Sequence, residues 1–494
     1  MELLHSLAAS YGFGTSYRAS NGLITEPPAA SFVKLLRAMG IPLSDEPSDD
    51  ELEFHIKARR AYWATRPLPQ CVVATAGQEK HFNVHVHDGH YSHVWIALED
   101  DSSRDAWQDD NWAPPFVGDD GVAWGEATYH VPGDLPVGYH ELHLESDNLE
   151  ATCPLLVVPA SVSTTASVVS SPVWGVMAQL YSVRSEQSWG VGDFADLASL
   201  ASVVGAVGAD YLLINPVHAA EPVPPIEDSP YLPTSRRFVN PIYISVEAVP
   251  EYVSLDGSAL AEMEELAAPL KALNHTADPL DRDRVFAAKL AALRELFYLS
   301  IADDARLGAF QQFCSDEGEG LREFAHWCAA QAAESEHEGA PKHEAGDDIE
   351  DLVQFYMWLQ FVADEQRHVA QDAAVGAGMS IGIMTDLAVG IHPGGADAAT
   401  LGGVLVPDAS VGAPPDQYSQ QGQDWSQPPW NPFGLAEAGY GPWRDLLRTV
   451  LRHSGGIRVD HILGLFRLYW LPRMGSALEG AYMNYDYELS LIHI

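Results

Sequence analysis

Between Cys71 and Pro159 apolar residues recur at every second position, and after Gly175 they do not. This change of period limits the fold more than any other feature of the chain. In Phe82-Asn83-Val84-His85-Val86-His87, Val94-Trp95-Ile96-Ala97-Leu98 and Tyr139-His140-Glu141-Leu142-His143-Leu144-Glu145, alternate side chains share a face, which marks half-buried strands. Asp88-Gly89, Asp120-Gly121 and Pro132-Gly133-Asp134 supply turns between them, so residues 67–160 are expected to form a small antiparallel β-sandwich. Its tryptophans, Trp95, Trp107, Trp112 and Trp124, are expected in the core rather than on a binding platform.

The flanking segments follow other periods. Residues 1–66 read as helices, with Leu3, Leu4, Leu7, Ala8 and then Phe32, Leu35, Leu36, Met39 at helical spacing and Gly40 as a stop. Residues 161–172, rich in Ser, Thr and Val, read as a linker. Beyond it, short apolar strands alternate with helices. Gly175 to Val183, Tyr211 to Val217, Met379 to Leu387 and Gly455 to Leu463 are four expected parallel strands, and Phe194 to Val207 is the first connecting helix. Residues 259–368 read as a charged helical insertion, with an acidic, solvated stretch from Glu334 to Asp351. The fold class is therefore α/β. A doubly wound sheet and a TIM-type barrel both satisfy the pattern. No GxGxxG or GxxxxGK[ST] follows the early strands, which argues against a nucleotide fold.

Composition narrows the partners. With 27 Lys and Arg against 69 Asp and Glu, the net charge of −42 would repel nucleic acid and anionic membranes. The start lacks a secretory pattern and no apolar run reaches the roughly 18 residues of a membrane span. A 494-residue chain with 47% hydrophobic residues suggests about three globular domains. Its four cysteines include no CxxC pair, so a cytoplasmic protein without disulfides, structural zinc or a cofactor is expected.

Four segments could carry chemistry. On the strand Gly456-Ile457-Arg458-Val459-Asp460, Arg458 and Asp460 share a face near the C-terminal end, where parallel α/β folds build their sites. A guanidinium beside a carboxylate favours its anionic form, and such an anion can attack an anomeric carbon, although a purely structural ion pair would look the same. The loop from Gly412 to Pro432 mixes Asp416, Gln423, Trp425 and Trp430 among prolines and glycines. Flat aromatics with amides and carboxylates suit sugars, and they equally suit a plugged core. Asp228-Ser229-Pro230-Tyr231 and Met384-Thr385-Asp386 stand at further strand ends, where turn chemistry is the simpler explanation of each alone.

Taken in order, DSPY at 228–231, GAPPDxxxxxGQDW at 412–425 and RVDHxxGLxRxxWLP at 458–472 resemble the amylomaltases, or 4-α-glucanotransferases, of glycoside hydrolase family 77. The resemblance runs to about Glu488 and includes the helical and sandwich extensions of the long bacterial subgroup. It implies a TIM-type (β/α)8 barrel over residues 173–488, of which the chain would hold about the first four strands. It further implies Asp460 as nucleophile with Arg458 as charge partner, Tyr231 at the reacting subsite beside Asp228 and Ser229, and Asp386, Asp416, Gln423 and Trp425 as glucose-binding residues. His461 points to the other strand face and is expected to be structural. The implied substrates are maltooligosaccharides and α-1,4-glucans.

Two departures stand out. The family's general acid motif of Gly-Glu-Asp-Leu-Gly type and its His-Asp-Thr type motif do not occur, and residues 489–494 do not continue the family pattern, so an inactive fragment with a non-native tail is expected. Ala398-Ala399 replaces an expected aromatic after Asp397. The rival readings are an α-glucan hydrolase and a noncatalytic glycan-binding protein.

Overall fold

The computed structural model describes residues 1–162, 169, 171–335 and 349–485. Much of the linker 161–172, most of the acidic stretch 334–351 and all of the tail 489–494 lie outside the described residues. The chain forms two compact units, one of Met1–Ser163, Gly402–Arg444 and Ile462–Ile494, the other of Thr164–Leu401 and Asp445–His461.

The first unit opens with helices Glu2–Ser10, Ala29–Ala38 and Asp49–Thr65, which bury Leu4 and Leu7, then Phe32, Leu35 and Leu36, then Leu52. Ser48 caps the third by accepting a hydrogen bond from the Glu51 amide. Residues 1–66 are not helical throughout. Tyr17–Arg18 pairs with Ile24–Thr25 around Gly22, whose φ of +82° makes the reversal. Two-residue strands are too short to leave a period in the sequence.

The alternating stretch forms two sheets. One runs Val72–Thr75, Leu149–Val158, Gly138–Ser146, His93–Ala97, Ser103–Asp105, and the other runs Lys80–His87, Ala123–Val131, Trp107–Asp109. Val84, Val94, Ile96, Val131, Leu142 and Leu155 meet between them, completely buried. Burial of each such side chain contributes about 1.5–3 kcal/mol. The tryptophans correct the expectation of a core location. Trp107 is 64% and Trp112 90% exposed, and Trp95 and Trp124 are only half-buried. Strand parity is the reason for Trp95: its neighbours Val94 and Ile96 face inward, so it faces out, stacked between His93 and His143.

The stretch 412–432, read as a loop, contains sheet structure. Ala409–Ala413 pairs with Gln423–Gln427 and with Arg467–Pro472, which in turn pairs with Ala481–Asn484. Pro414, Pro415 and Gly422 dominate the local signal and mask the pairing of Ala409–Ala413 with Gln423–Gln427, while the second partner, Arg467–Pro472, is far along the chain.

The second unit is built on a parallel sheet in the spatial order β1 (Gly175–Ala178), β2 (Tyr211–Ile214), β3 (Gly382–Leu387), β4 (Gly456–Val459). All four strands are shorter than the apolar runs suggested. β1 gives way to a 3-10 turn at Leu180–Ser182, because the Leu180 amide donates to the buried Asn215 Oδ1 at 2.7 Å. β4 ends where His461 adopts φ +55°. Gly455 admits β4 beside β3, since a Cβ there would lie 1.7 Å from the Ile381 carbonyl oxygen. The helix Phe194–Ala206 links β1 to β2 and begins with a capping box between Asp193 and Asp196.

Among the described residues, five α-helices between Gly257 and Gly376 form the insertion. Its Phe286, Leu293, Phe297, Phe355 and Trp358 join Trp189 and Phe194 in one core. Lys289, 1% exposed, donates to the carbonyls of Ile242 and Ile244 at 2.8 Å and pairs with Asp193, so its buried charge is compensated. The segment leading into β4 is tied down by charge. Buried Glu317 accepts from Arg237 and Arg452, and Asp364 pairs with Arg452 and His453.

Two expected outcomes follow from this arrangement. His218 is buried as an acceptor from the Ala388 amide, and burial, with the nearby Arg236 and Arg367 charges, pushes its imidazole down to about 3. The unfolded chain, with a histidine pKa of about 6.5, then binds the extra proton, so this contribution is complete above pH ~6.5 and is lost as pH falls toward 3. The drop in urea midpoint between pH 7 and pH 4.5 should be smaller in His218→Asn than in wild type. The outer strands β1 and β4 carry half-exposed residues, and Met177 is 57% exposed. Exposed parallel edges pair readily with other chains. Sedimentation velocity should show concentration-dependent association that Met177→Lys reduces.

Candidate active site

Arg458 and Asp386 are register partners on β4 and β3. The register places a guanidinium beside a carboxylate that is 1% exposed. Arg458 Nη1 donates to Asp386 Oδ1 and Oδ2 at 2.7 and 2.6 Å, and its Nη2 donates to Asp460 Oδ1 at 2.9 Å. One fork therefore neutralises a buried acid with one arm and orients a second acid with the other. Tyr231 Oη completes the group by donating to Asp386 Oδ2 at 2.9 Å. Burial, followed by the Asp386 acceptor, pushes the Tyr231 phenol up to about 12, so it remains a donor at neutral pH. The hydrogen bond to Asp386 raises the Arg458 guanidinium further above its ordinary value.

The two carboxylates are left in different states. Asp386 has both oxygens engaged by protein. Asp460 is 30% exposed, and its Oδ2 accepts no protein hydrogen bond among the described residues. A carboxylate fixed through one oxygen with the other open has the chemistry of a nucleophile available to it. The following residue, His461, takes a left-handed backbone conformation, and burial pushes its imidazole below the usual range. Its strain turns the chain directly after Asp460.

The DSPY segment splits its duties. Asp228, with an 88% exposed side chain, pairs with Arg282 at 2.9 Å rather than with the Tyr231 cluster. Ser229 Oγ accepts from the Tyr231 amide and shapes the turn that presents the phenol. The loop is then fastened to the chain after β3. Arg236 Nη1 donates to the Ala388 and Val389 carbonyls, while buried Asp397 accepts from the Arg236 amide. Neither residue had a role assigned from sequence. Arg236 is on the short strand Ser235–Val239 and Asp397 in the first turn of the helix Ala396–Thr400, and their burial leaves no mark in the local sequence.

The remaining predicted residues belong to the other unit. Asp416 Oδ1 accepts from the Tyr418 and Ser419 amides at 2.7 and 2.6 Å and closes a turn. Gln423 Oε1 accepts from Trp425 Nε1 at 2.9 Å, two positions along one strand face, and the indole is half-buried. Trp425 is therefore not a core plug.

The Arg458 arm should be measurable as coupling. Arg458→Met removes the cation from a buried carboxylate and should cost about 1–3 kcal/mol, discounted for the exposure of the arginine. Asp386→Asn in that background should recover much of the loss, and a double-mutant cycle by urea denaturation would read the interaction.

Comparison with known proteins agrees with these motifs. The family model described as 4-alpha-glucanotransferase, glycoside hydrolase family 77, matches residues 178–493, and that of the MalQ N-terminal beta sandwich domain matches residues 67–159. The 4-alpha-glucanotransferase of Mycobacterium tuberculosis (strain H37Rv) is 43% identical over 505 residues, spanning 98% of this chain and 69% of its own. That of Haemophilus influenzae is 35% identical over 72% of this chain and 54% of its own. The crystal structure of amylomaltase from Corynebacterium glutamicum superposes with a TM-score of 0.95 at 53% identity, covering 100% of this chain and 70% of that one. Amylomaltase from Streptococcus agalactiae in complex with acarbose shares the fold at 16% identity, with a TM-score of 0.52 over 64% of this chain and 65% of that one. With a sandwich ahead of an α/β unit and these motifs at its strand ends, the chain belongs to the 4-α-glucanotransferases of glycoside hydrolase family 77.

Proposed function

We propose that Asp460 is the nucleophile of a retaining α-1,4-glucan transfer. Its open Oδ2 attacks the anomeric carbon, the glycosidic C–O bond breaks, and a covalent glycosyl ester forms. The 4-hydroxyl of an acceptor glucan then displaces Asp460, and two inversions leave the α configuration unchanged. The observation that carries this reading is the asymmetry at Arg458, which saturates Asp386 and holds Asp460 by a single oxygen. In this scheme Asp386 positions Arg458 and Tyr231 more than it contacts sugar. Gln423 and Trp425 offer glucose a polar edge beside an aromatic face. Asp416 and Ser229 shape the loops that carry these groups, and Asp228 lies within the same loop as Tyr231. Acarbose bound to the Streptococcus agalactiae amylomaltase supports maltooligosaccharides and α-1,4-glucans as substrates.

We further propose that β1–β4 are the first four strands of a (β/α)8 barrel. Their sequential parallel order supports this, as does the position of Asp386 and Asp460 at C-terminal strand ends. Retaining transfer needs a second carboxylate about 5–5.5 Å from the nucleophile to protonate the leaving oxygen. Asp386 is already engaged by Arg458 and Tyr231, and the family's acid motif is not present in the 494 residues. This chain alone is therefore expected to form no longer oligosaccharides from maltotriose.

An activated donor separates the nucleophile from the missing acid. Fluoride leaves α-maltotriosyl fluoride without protonation, so the chain should acquire one maltotriosyl unit on the peptide containing Asp460, detectable by mass spectrometry. Asp460→Asn should acquire none. An adduct on another carboxylate would overturn the assignment.

A further inference from the structure

The sandwich carries a group of side chains that glucan transfer does not use. His81 on Lys80–His87 and His130 on Ala123–Val131 are directly opposed across an antiparallel ladder. Trp107 is the register partner of His130 on the next strand, and Asp109 lies two residues further along the same face. All three side chains stand on the outer surface of this sheet, because Phe82, Val84, Tyr129 and Val131 take the inward positions. Asp109 Oδ2 lies 2.9 Å from His130 Nδ1 and 3.3 Å from His81 Nε2, and one ligand atom from each residue falls within 4.8 Å of the others. Tetrahedral zinc with bonds of about 2.0–2.1 Å sets its ligand atoms roughly 3.3 Å apart, so this trio is already near that spacing. Among the described residues it is the one such grouping.

We propose that His81, Asp109 and His130 form a site for a divalent transition metal, with zinc the metal best suited to two imidazoles and one carboxylate. Magnesium and calcium, which prefer all-oxygen shells, fit poorly. His81 has a 57% exposed side chain and His130 15%, so the site opens to solvent on one side, and water completes the coordination. A bound ion would clamp three strands, adding to the side-chain links Thr128 to Asn83 and His85 to Glu126 that join two of them on that face. Spacings of 28 and 21 residues belong to no linear motif, and the cysteine pattern that argued against structural zinc says nothing about ligands gathered by a sheet.

Titration of the tag-free chain tests this, with Zn2+ followed by calorimetry and Co2+ by its visible ligand-field absorption. The expected result is one equivalent bound, with a Zn2+-dependent rise in melting temperature. His81→Ala and Asp109→Asn should each weaken binding at least about ten-fold and abolish that rise. Because His81 is outward and largely exposed, the metal-free melting temperature of His81→Ala should match wild type, which separates loss of a ligand from loss of fold. His93→Ala, which removes a surface imidazole facing Asp105 in the other sheet, should leave binding unchanged. The proposal is overturned if no stoichiometric binding occurs, if binding survives His81→Ala, or if His93→Ala weakens it equally, since the chain's 20 histidines could then account for it nonspecifically.

Discussion

The candidate active-site face of the α/β unit depends on one buried charge. Asp386 is 1% exposed, and an ionised carboxylate at that depth persists only if a cation and further donors meet it. Arg458 supplies the cation from the adjacent strand and Tyr231 supplies the donor. Once the guanidinium is held in that plane its second arm has one direction left, and Asp460 occupies it. The orientation of the outward carboxylate is thus set by the burial of the inward one. Lysine could not replace the arginine, because a single ammonium lacks the fork that reaches both acids.

The same unit shows how the long connection after β2 acquires rigidity beyond the short antiparallel pairing of His218–Ala219 with Ser235–Val239. The segment after β2 and the segment after β3 are joined by Arg236 to Ala388 and Val389, by Asp397 to the Arg236 amide, and by buried His218 to the Ala388 amide. These bonds satisfy backbone groups that would otherwise be buried unpaired. They also hold the turn that bears Tyr231 at the distance its phenol needs. Burial raises Asp397 above the usual carboxylate range, which marks the expense of placing an acid there and the tightness of the join.

The amino-acid pattern alone determined the type of the long periodic elements and the likeness to its family. A period of two over 67–160 can only be satisfied by strands with one wet face, and the structure places Phe82, Val84 and Val86 inside with His81, Asn83 and His87 outside. Four apolar runs after Gly175 became four parallel strands, and the adjacency of Arg458 and Asp460 followed from strand parity. These are local properties, decided by neighbours within a few residues.

What only the tertiary structure decided are the properties that join distant residues. The pairing of Asp386 with Arg458, seventy-two positions away, is one that only strand register reveals. The tryptophans of the sandwich looked like core by residue type, yet strand parity at Trp95 and the loop at Trp112 put them outside. Gln423–Gln427 looked like loop because Pro414, Pro415 and Gly422 mask its pairing with Ala409–Ala413, which itself pairs with the distant Arg467–Pro472. Hydrophobic period fixes which face a residue takes. The choice of neighbours on that face is made by register, by burial and by the need to pair each buried charge, and no short stretch of sequence contains that information.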